Sequence, residues 1–297
     1  MFLYITSSRG LFKYDLVKKV FEKVLSNWNK GLLSRPSKGF FGISHFTSKN
    51  YIACASRENF NKKIKYEKST SSTIHIIDIT KNIVNDKIIV NNILDIHQIS
   101  YNNNLLFLTE TGKNRIQILN IENKKVENFI DVGEVRNDIN HLNAVSVFNN
   151  ILFIGLNNGN IKNLKRNSQI IEVDLSILDK LKNFDALKYG VINNLEDVYE
   201  THDIEKFNDD FLISSSNTGK IYSLQQKKFI KDIKPWTRGI AIGDKNIYIG
   251  KSGIGKRDNR HNRYYDGEIF VLDKINLEIK EIIKVPGIGQ LNDILYI

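Results

Sequence analysis

The stretch Glu200-Thr-His-Asp-Ile204, followed after a short polar turn by Phe211-Leu-Ile-Ser-Ser215, contains the pattern that decides the fold. A polar residue opens a hydrophobic strand, and a tight turn then leads into a second strand. The same order recurs along the whole chain, and the polar residues that open the six copies are His45, His97, His141, His202, Arg238 and Asn292. A repeat of short strands predicts a β-propeller in which each copy is one blade.

The two ends of the chain complement each other in this pattern. Gln290–Ile297 reads as an inner strand with nothing after it, whereas the first 25 residues contain three strands with no inner strand before them, at Phe2–Ile5, Leu11–Tyr14 and Lys19–Leu25. Pairing the ends gives six four-stranded blades and removes exposed sheet edges. We therefore expect an all-β fold, a six-bladed β-propeller that forms a single domain over residues 1–297. Its ring is closed by pairing the C-terminal inner strand with the three N-terminal strands.

Long connections distinguish one face of the predicted propeller. The turns between first and second strands are short, and we expect four long segments on the face where the inner strands begin: Ser26–Gly39, Arg57–Ser72, Asp174–Asn194 and Ser252–Asp266. Within the third segment we expect a helical insertion at about residues 174–190, because Asp174 is a suitable N-cap and leucines recur behind it. Since binding groups are usually carried on loops over a rigid scaffold, this face is the predicted functional face.

Composition limits the classes of function. The 297 residues are 41% hydrophobic and carry a formal net charge of +10, with one cysteine. No apolar run approaches the roughly 20 residues that span a bilayer, so no membrane partner is expected, and the single cysteine favours a reduced, cytoplasmic setting. The basic residues are spread through turns rather than clustered, which makes nucleic acid an unlikely partner. A small anionic substrate, possibly a carbohydrate, fits the charge better.

The histidines are the strongest functional signal. The chain has 6 histidines, and four of them open inner strands, which converge on the central channel. Neutral imidazoles gathered in this way are suited to a divalent metal ion, and we expect His97, His141 and His202 to be its ligands. Mn, Fe, Zn and Ca are not distinguished by the sequence. A metal-free ligand site and a purely structural polar plug remain open alternatives.

Neighbouring polar residues complete the predicted site. We expect Arg238, Asn143 and Asp203 to bind the substrate, Arg238 through its fork-shaped guanidinium. His45, Arg238 and Asn292 are the predicted catalytic residues. The first hypothesis is a metal-dependent enzyme acting on a small anionic, sugar-derived substrate, with elimination or epimerisation slightly preferred over hydrolysis. The alternative is a non-catalytic binding module that presents its loop-rich face to a protein or a glycan.

Several inner-strand motifs resemble a known group of proteins. These motifs are His45-Phe, His141-Leu-Asn-Ala144, Thr201-His-Asp203 and Thr237-Arg-Gly-Ile-Ala241. From about Phe40 onward they are similar to His-Gly-Leu-Ala, His-Leu-Asn-Gly, Pro-His-Ser-Pro and Thr-Arg-Gly-Leu of an uncharacterised bacterial six-bladed propeller family. That family is often associated with sugar- or sulfate-transfer proteins. The resemblance implies the fold and the polar ring rather than a reaction.

A looser similarity is to propeller lyases that split uronate-containing sugars. It implies a divalent ion held by histidines at the channel mouth, with a nearby arginine for the substrate carboxylate.

Overall fold

The computed structural model describes residues 1–26, 39–46, 49–57, 71–134, 140–157, 167–180, 184–253 and 265–297. Within these residues the strands form six small antiparallel sheets, and one sheet gains a short fifth strand that runs parallel to its neighbour. Each sheet is one blade, and its innermost strand lines the channel. The predicted all-β, six-bladed propeller is confirmed.

The first three blades contain the N-terminal part of the chain and the last strand. Blade I consists of β1 (Phe2–Ser7), β2 (Gly10–Asp15), β3 (Val20–Ser26) and, as its inner strand, β25 (Leu291–Tyr296). Blade II consists of β4 (Gly39–Phe46), β5 (Tyr51–Arg57), β6 (Ser71–Asp78) and β7 (Ile83–Asn91). Blade III consists of β8 (Ile96–Asn102), β9 (Leu105–Glu110), β10 (Arg115–Asn120) and β11 (Lys125–Asp131), joined at its outer edge by β15 (Phe184–Asp185). A short 3₁₀ helix, Thr111–Lys113, links β9 to β10.

The remaining three blades follow in chain order. Blade IV consists of β12 (Leu142–Phe148), β13 (Ile151–Leu156), β14 (Gln169–Asp174) and β16 (Val191–Asn194). Blade V consists of β17 (Thr201–Phe207), β18 (Asp210–Ser215), β19 (Lys220–Ser223) and β20 (Lys228–Asp232). Blade VI consists of β21 (Thr237–Ile242), β22 (Asn246–Lys251), β23 (Gly267–Asp273) and β24 (Ile279–Val285). Strands β25, β4, β8, β12, β17 and β21 are therefore the inner strands of blades I to VI.

The ring closes as expected from the sequence. Strand β25 pairs antiparallel with β1, with Leu3 opposite Tyr296 and Ile5 opposite Ile294. Apolar side chains fill six separate cores, one in each seam between neighbouring blades. Each inner strand contributes one buried branched residue to a different core: Ile43, Ile99, Val145, Ile204, Ile240 and Ile294. Blade-to-blade burial of apolar surface, rather than one central core, therefore stabilises the ring.

The helical insertion is shorter than the sequence predicts. Strand β14 extends to Asp174, a 3₁₀ helix follows over Leu175–Lys180, and the only α-helix among the described residues, α1, spans Ala186–Tyr189. Asp174 accepts from the Ser176 amide at 2.8 Å and so ends the strand. The α-helical cap is Asp185, which accepts from the Leu187 amide at 2.9 Å. Pairing of β15 with β11 interrupts the predicted helix, because those residues bond to a neighbouring blade instead.

One of the four long segments begins on the face opposite to the predicted functional face. We call the face where the six inner strands begin the site face. Asp174 lies opposite Ile151, which lies opposite Phe148 at the far end of its inner strand, so Asp174–Asn194 departs from the opposite face. The described ends of the other three segments lie at the site face, because Arg57 is paired with Gly39 and Lys251 with Thr237. No helix among the described residues has the length and hydropathy needed to cross a membrane.

A register shift near the start of every inner strand builds two rings around the channel. Each shift adds a residue to the inner strand, as a β-bulge does, and so re-aims its side chains. Counting back from the buried branched residue of each strand gives the lower ring: Asp293, Gly42, Gln98, Ala144, Asp203 and Gly239, for blades I to VI. The residue before each of these gives the upper ring, nearer the site face: Asn292, Phe41, His97, Asn143, His202 and Arg238.

The lower ring alternates between long polar and small residues. Asp293 accepts from the Ile43 amide of the next blade at 3.0 Å, and the Gln98 oxygen accepts from the Val145 amide at 3.3 Å. Asp203 likewise accepts from the Ile240 amide. These side chains join blade I to II, III to IV and V to VI, and we call them the three clasps.

The small residues allow close approach at the alternate seams. A Cβ added to Gly42 would lie 2.6 Å from the Ile99 amide nitrogen, and one added to Gly239 would lie 2.7 Å from that of Ile294. Both glycines also have positive φ, at 41° and 75°, which disfavours any side chain there. Neighbouring inner strands therefore meet directly at these seams and through a clasp at the others.

The three clasps also meet each other on the channel axis. Gln98 Nε2 donates to Asp203 Oδ1 at 2.8 Å and lies 3.4 Å from Asp293 Oδ2. Burial raises the pKa of Asp203 to about 6, against the opposing effect of its hydrogen bonds. Burial and then the Asp203 charge raise the pKa of Asp293 well above its ordinary value. Desolvation also raises the pKa of the half-buried Glu205, and the charges of Asp203 and Asp293 add to this.

Removing the central amide should weaken the whole ring. Gln98→Ala leaves the Val145 amide without its bond and removes one of the two bonds to Asp203 Oδ1, so we expect the free energy of unfolding to fall by about 2–4 kcal/mol. Urea unfolding measures this loss, with Gln225→Ala, which truncates an exposed glutamine, as the matched control. Equal stability of the two variants would refute the role of the clasp.

The buried carboxyls predict how stability changes with pH. Their pKa values are raised on folding, so their contribution is fully present below the unfolded pKa of about 4 and is lost as pH rises through the folded values. Asp293→Asn removes one such group, so its unfolding free energy should decline less steeply than that of the wild type between about pH 4.5 and 7.5. The lowered pKa values of His97 and His202 make the unfolding free energy rise with pH instead, and they do so equally in the wild type and in Asp293→Asn.

Urea titrations across this pH range provide the measurement, and Asp197→Asn at an exposed turn is the control. Parallel curves for wild type and Asp293→Asn would contradict the prediction.

Candidate functional site

The upper ring gathers most of the predicted polar residues at the site-face end of the channel. His97, His202, Arg238 and Asn292 occupy equivalent positions in blades III, V, VI and I. Their exposure is low, at 9% for His202, 6% for Arg238 and 9% for Asn292. The repeat therefore aligns these four residues correctly.

The other two aligned histidines lie elsewhere. His45 is the seventh residue of β4 and pairs with Ile52, so it lies towards the opposite face, and Phe41 occupies the upper ring in blade II. Burial lowers the pKa of His45. It is not brought together with Arg238 and Asn292, contrary to the predicted catalytic group. Counting from the sequence repeat missed this because the upper-ring residue of blade II is the apolar Phe41, and His45 is a polar residue four positions further along the same strand.

His141 lies two residues before the upper ring, and Asn143 takes the ring position in blade IV. His141 belongs instead to a set of equivalent residues that precede the inner strands with positive φ: Asp95, His141, Glu200 and Trp236. Left-handed backbone at non-glycine residues is uncommon, and its recurrence shows that the turn into these strands requires it. His141 nevertheless stays at the mouth, since its ring centroid is 5.5 Å from that of His97.

His97 belongs to a charged group that sequence reasoning missed. Its Nε2 lies 3.6 Å from Asp95 Oδ2, and the Asp95 carboxylate forms an ion pair with Arg57 Nη1 at 2.5 Å. Arg57 also donates to the Ile96 carbonyl and stacks over the Phe41 ring at 3.7 Å. The available signal was position: Asp95 precedes His97 by two residues, and Arg57 ends the second strand of the preceding blade.

The electrostatics of this group keep the imidazole neutral. Burial, aided by the Arg57 charge, lowers the pKa of His97 to about 4, and the Asp95 carboxylate only partly opposes this. Burial by itself raises the pKa of Asp95, but Arg57 and His97 outweigh it, so the net shift is well below the ordinary range. At neutral pH the group therefore combines a carboxylate, a guanidinium and an uncharged imidazole.

His202 and Asn143 form the second polar group. His202 Nδ1 lies 2.8 Å from the Glu200 carbonyl, and its Nε2 lies 3.4 Å from Asn143 Nδ2. Burial and then the Arg238 charge lower the pKa of His202 well below its ordinary value. Asn143 is 2% exposed, and its side-chain oxygen has no hydrogen-bond partner among the described residues. The site thus contains a buried acceptor that is unsatisfied within the described part of the chain.

Arg238 and Asn292 form the third group. With its oxygen turned towards Arg238, the Gln290 carboxamide accepts from Nη1 at 2.7 Å. Asn292 Nδ2 donates to the Phe40 carbonyl at 2.7 Å and so bridges blades I and II. Gln290 was not predicted, although it stands two residues before Asn292, in the same relation as His141 to Asn143.

Asp203 is placed below the site rather than in it. Its carboxylate accepts from Gln98 and from the Ile204 and Ile240 amides, as part of a clasp. Those bonds engage both oxygens, so the predicted role in substrate binding does not fit its surroundings. A sequence does not distinguish a structural carboxylate from a catalytic one, because both appear as a polar residue on an inner strand.

The described residues do not provide a metal centre. No group of three or more His, Cys, Asp or Glu side chains among them is arranged to hold an ion. His202 Nδ1 faces a backbone carbonyl and its Nε2 faces the Asn143 amide, so neither nitrogen is directed at a shared point with His97. The His97–His141–His202 metal site therefore stays a prediction that this arrangement does not favour.

Comparisons with known proteins support the fold. No family model matches the sequence, and no curated protein matches it. The chain is similar to one in the crystal structure of a nidogen/laminin complex, with a TM-score of 0.64 and 12% identity, over 99% of this chain and 97% of that one. At so low an identity the likeness shows the fold alone. The resemblance to the uncharacterised bacterial family stays a prediction.

The arrangement predicts how the mouth histidines titrate. Arg238→Met removes a cation beside His202, so the pKa of His202 should rise, yet stay below its ordinary 6.5 because burial remains. Two-dimensional NMR of the imidazole signals against pH measures this, with Arg115→Met, a blade-surface arginine paired with Asp131, as control. A pKa of His202 that is unchanged in Arg238→Met would contradict the described electrostatics.

Proposed function

We propose that the chain is a binding protein for a small anionic, hydroxylated ligand such as a sugar acid, taken at the site-face mouth of the channel. The observation that carries the proposal is the buried Asn143 oxygen without a partner among the described residues, beside a neutral His202. An unsatisfied buried acceptor costs about 1–3 kcal/mol. A ligand hydroxyl that donates to it would recover this cost.

The other mouth residues supply complementary chemistry. Arg238 is nearly buried, and a guanidinium in that state binds a carboxylate more strongly than one in water does. The neutral imidazole of His97 carries one donor and one acceptor nitrogen, as sugar hydroxyls require, whereas both nitrogens of His202 face protein groups and position Asn143. Together with Asn143, these groups favour a ligand that carries both a carboxylate and hydroxyls.

Binding is better supported than turnover. A catalytic base for elimination or epimerisation works best with a pKa near the operating pH. Burial holds the pKa of His97 at about 4, which makes its imidazole a weak base at neutral pH. The metal-dependent elimination, epimerisation or hydrolysis expected from the sequence therefore stays a second proposal. It requires a Mn, Fe, Zn or Ca ion that the described residues are not arranged to hold.

Recognition of a protein at the site face is a further candidate. The similar solved chain comes from a nidogen/laminin complex, and the described ends of three long connections lie at the site face. Binding groups are usually carried on such loops. We rank it below the small-ligand proposal because it gives no role to the buried Asn143 oxygen.

Calorimetric titration tests the proposal directly. We expect galacturonate to bind to the wild-type protein and neutral galactose to bind at least about tenfold more weakly, because only the acid engages Arg238. Arg238→Gln should abolish this preference, whereas Arg115→Gln, which removes the same charge from a blade surface, should keep it. Titrations with EDTA and with added Mn²⁺ or Zn²⁺ distinguish the metal-dependent proposal from metal-free binding.

Equal affinity for acid and neutral sugar, or no binding of either, would overturn the small-ligand proposal. Binding of galacturonate only in the presence of a metal would instead support the metal-dependent one.

A further inference from the structure

Blade VI carries a row of charged residues across its site-face end. Lys251, Glu268 and Lys284 are direct cross-strand neighbours on β22, β23 and β24. Side chains at paired positions point to the same side of a sheet, so the three form one line that runs outward from the channel. Lys251 Nζ bonds to Glu268 at 2.7 Å, and Lys284 is exposed. Lys251 and Lys284 are two strands apart, or about 10 Å.

A third lysine faces the same row from the neighbouring blade. Ile249 and Phe270 lie two residues along from Lys251 and Glu268, and they pack in the core between blades V and VI. Since side chains alternate along a strand, the row also faces blade V. Lys234, in the connection between these blades, lies with its Nζ 5.9 Å from the Phe270 ring centroid. This seam therefore carries three ammonium groups and one carboxylate, which we call the basic seam.

The seam on the other side of blade VI is also basic. A surface pocket there is lined by Arg9, Phe12, Lys23, Ser26 and Gly287. Arg9 Nη1 donates to the Gly287 carbonyl at 2.6 Å, which joins blade I to the last turn of the chain. Among the described residues, positive charge thus flanks blade VI on both sides at the site face, and the exposed Asp266, which accepts from the Gly287 amide, is an acid at the same end of the blade. The rim at blades IV and V contrasts with it, because Glu196 and Asp197 are exposed there.

The basic seam is continuous with the mouth. Lys251 pairs with Thr237, and the next residue on that inner strand is Arg238. A ligand whose carboxylate is held by Arg238 would therefore have a positively charged path leading outward over blade VI. A single sugar acid bound by Arg238 would leave this path unused.

We propose that blade VI binds a linear acidic polysaccharide, whose end residue occupies the mouth and whose following residues lie along the basic seam. This inference rests on the proposed function for the identity of the end residue. Lysine ammonium groups act as point charges, suited to carboxylates or sulfates at variable spacing. Single-stranded nucleic acid is less well matched, because its binding sites stack successive bases on several aromatic side chains, and the connection from Lys234 to Arg238 carries one, Trp236.

The experiment compares the binding of a single sugar acid with that of a longer acidic oligosaccharide. Calorimetry measures the gain in affinity from added sugar residues. The ligands are galacturonate, an oligogalacturonate of about ten residues, and a neutral maltooligosaccharide of similar length. The oligomer should bind the wild type at least about tenfold more tightly than the monomer in about 50 mM salt, and this gain should disappear in about 500 mM salt.

Lysine variants test whether the gain in affinity for the oligomer comes from the basic seam. Lys234→Gln, Lys251→Gln and Lys284→Gln together should remove it and leave monomer affinity within about twofold, because these residues lie outside the mouth. The matched control replaces Lys125, Lys228 and Lys245, exposed lysines at turns of the opposite face, by glutamine. This control should keep the full gain.

The outcomes separate the two proposals. Monomer binding without a gain for the oligomer, or a gain that survives in the basic-seam variant, overturns the polysaccharide inference and leaves the mouth proposal intact. Tight oligomer binding without monomer binding supports the basic seam and overturns the mouth proposal. An oligodeoxythymidylate of equal charge that competes as well as the oligogalacturonate overturns the assignment to a polysaccharide.

Discussion

The three clasps around Gln98 are the interaction on which the rest of the propeller depends. Asp293, Gln98 and Asp203 each reach a backbone amide of the next blade, and Gln98 also joins the two carboxyls on the axis. Buried carboxyls without partners are costly, so the arrangement requires every bond to be made at once. Small residues at the alternate seams let the inner strands approach closely enough for this.

The same register shifts that form the clasps also create the site. A bulged strand turns two consecutive side chains towards the channel, so a structural lower ring and a polar upper ring arise together. The side chains at the mouth are consequently mostly buried, and burial drives the imidazoles of His97 and His202 to the neutral state. Neutral imidazoles beside a nearly buried Arg238 favour hydrogen bonding to an anionic, hydroxylated ligand over proton transfer.

The described residues around this mouth carry an uneven distribution of charge. The basic seam and the pocket at Arg9 flank blade VI, whereas exposed acids lie at the rim of blades IV and V. Close pairing, as between Arg57 and Asp95, fixes the geometry of individual groups. The wider asymmetry can orient a charged ligand before it makes any contact, because electrostatic steering acts over about 8 Å at physiological salt.

The sequence by itself determined the blade count, the closure of the ring by β25 and β1, and the positions of His97, His202, Arg238 and Asn292. Strand alternation and turn residues are local, so they are readable without a structure. Only the tertiary structure decided that His45 lies away from the mouth, that Asn143 replaces His141 in the ring, and that Asp203 belongs to a clasp. Which side chain reaches the channel depends on its exact position relative to the bulge of its strand, and Asp293, Gln98 and Asp203 accept from backbone amides of neighbouring blades that are far away in the sequence.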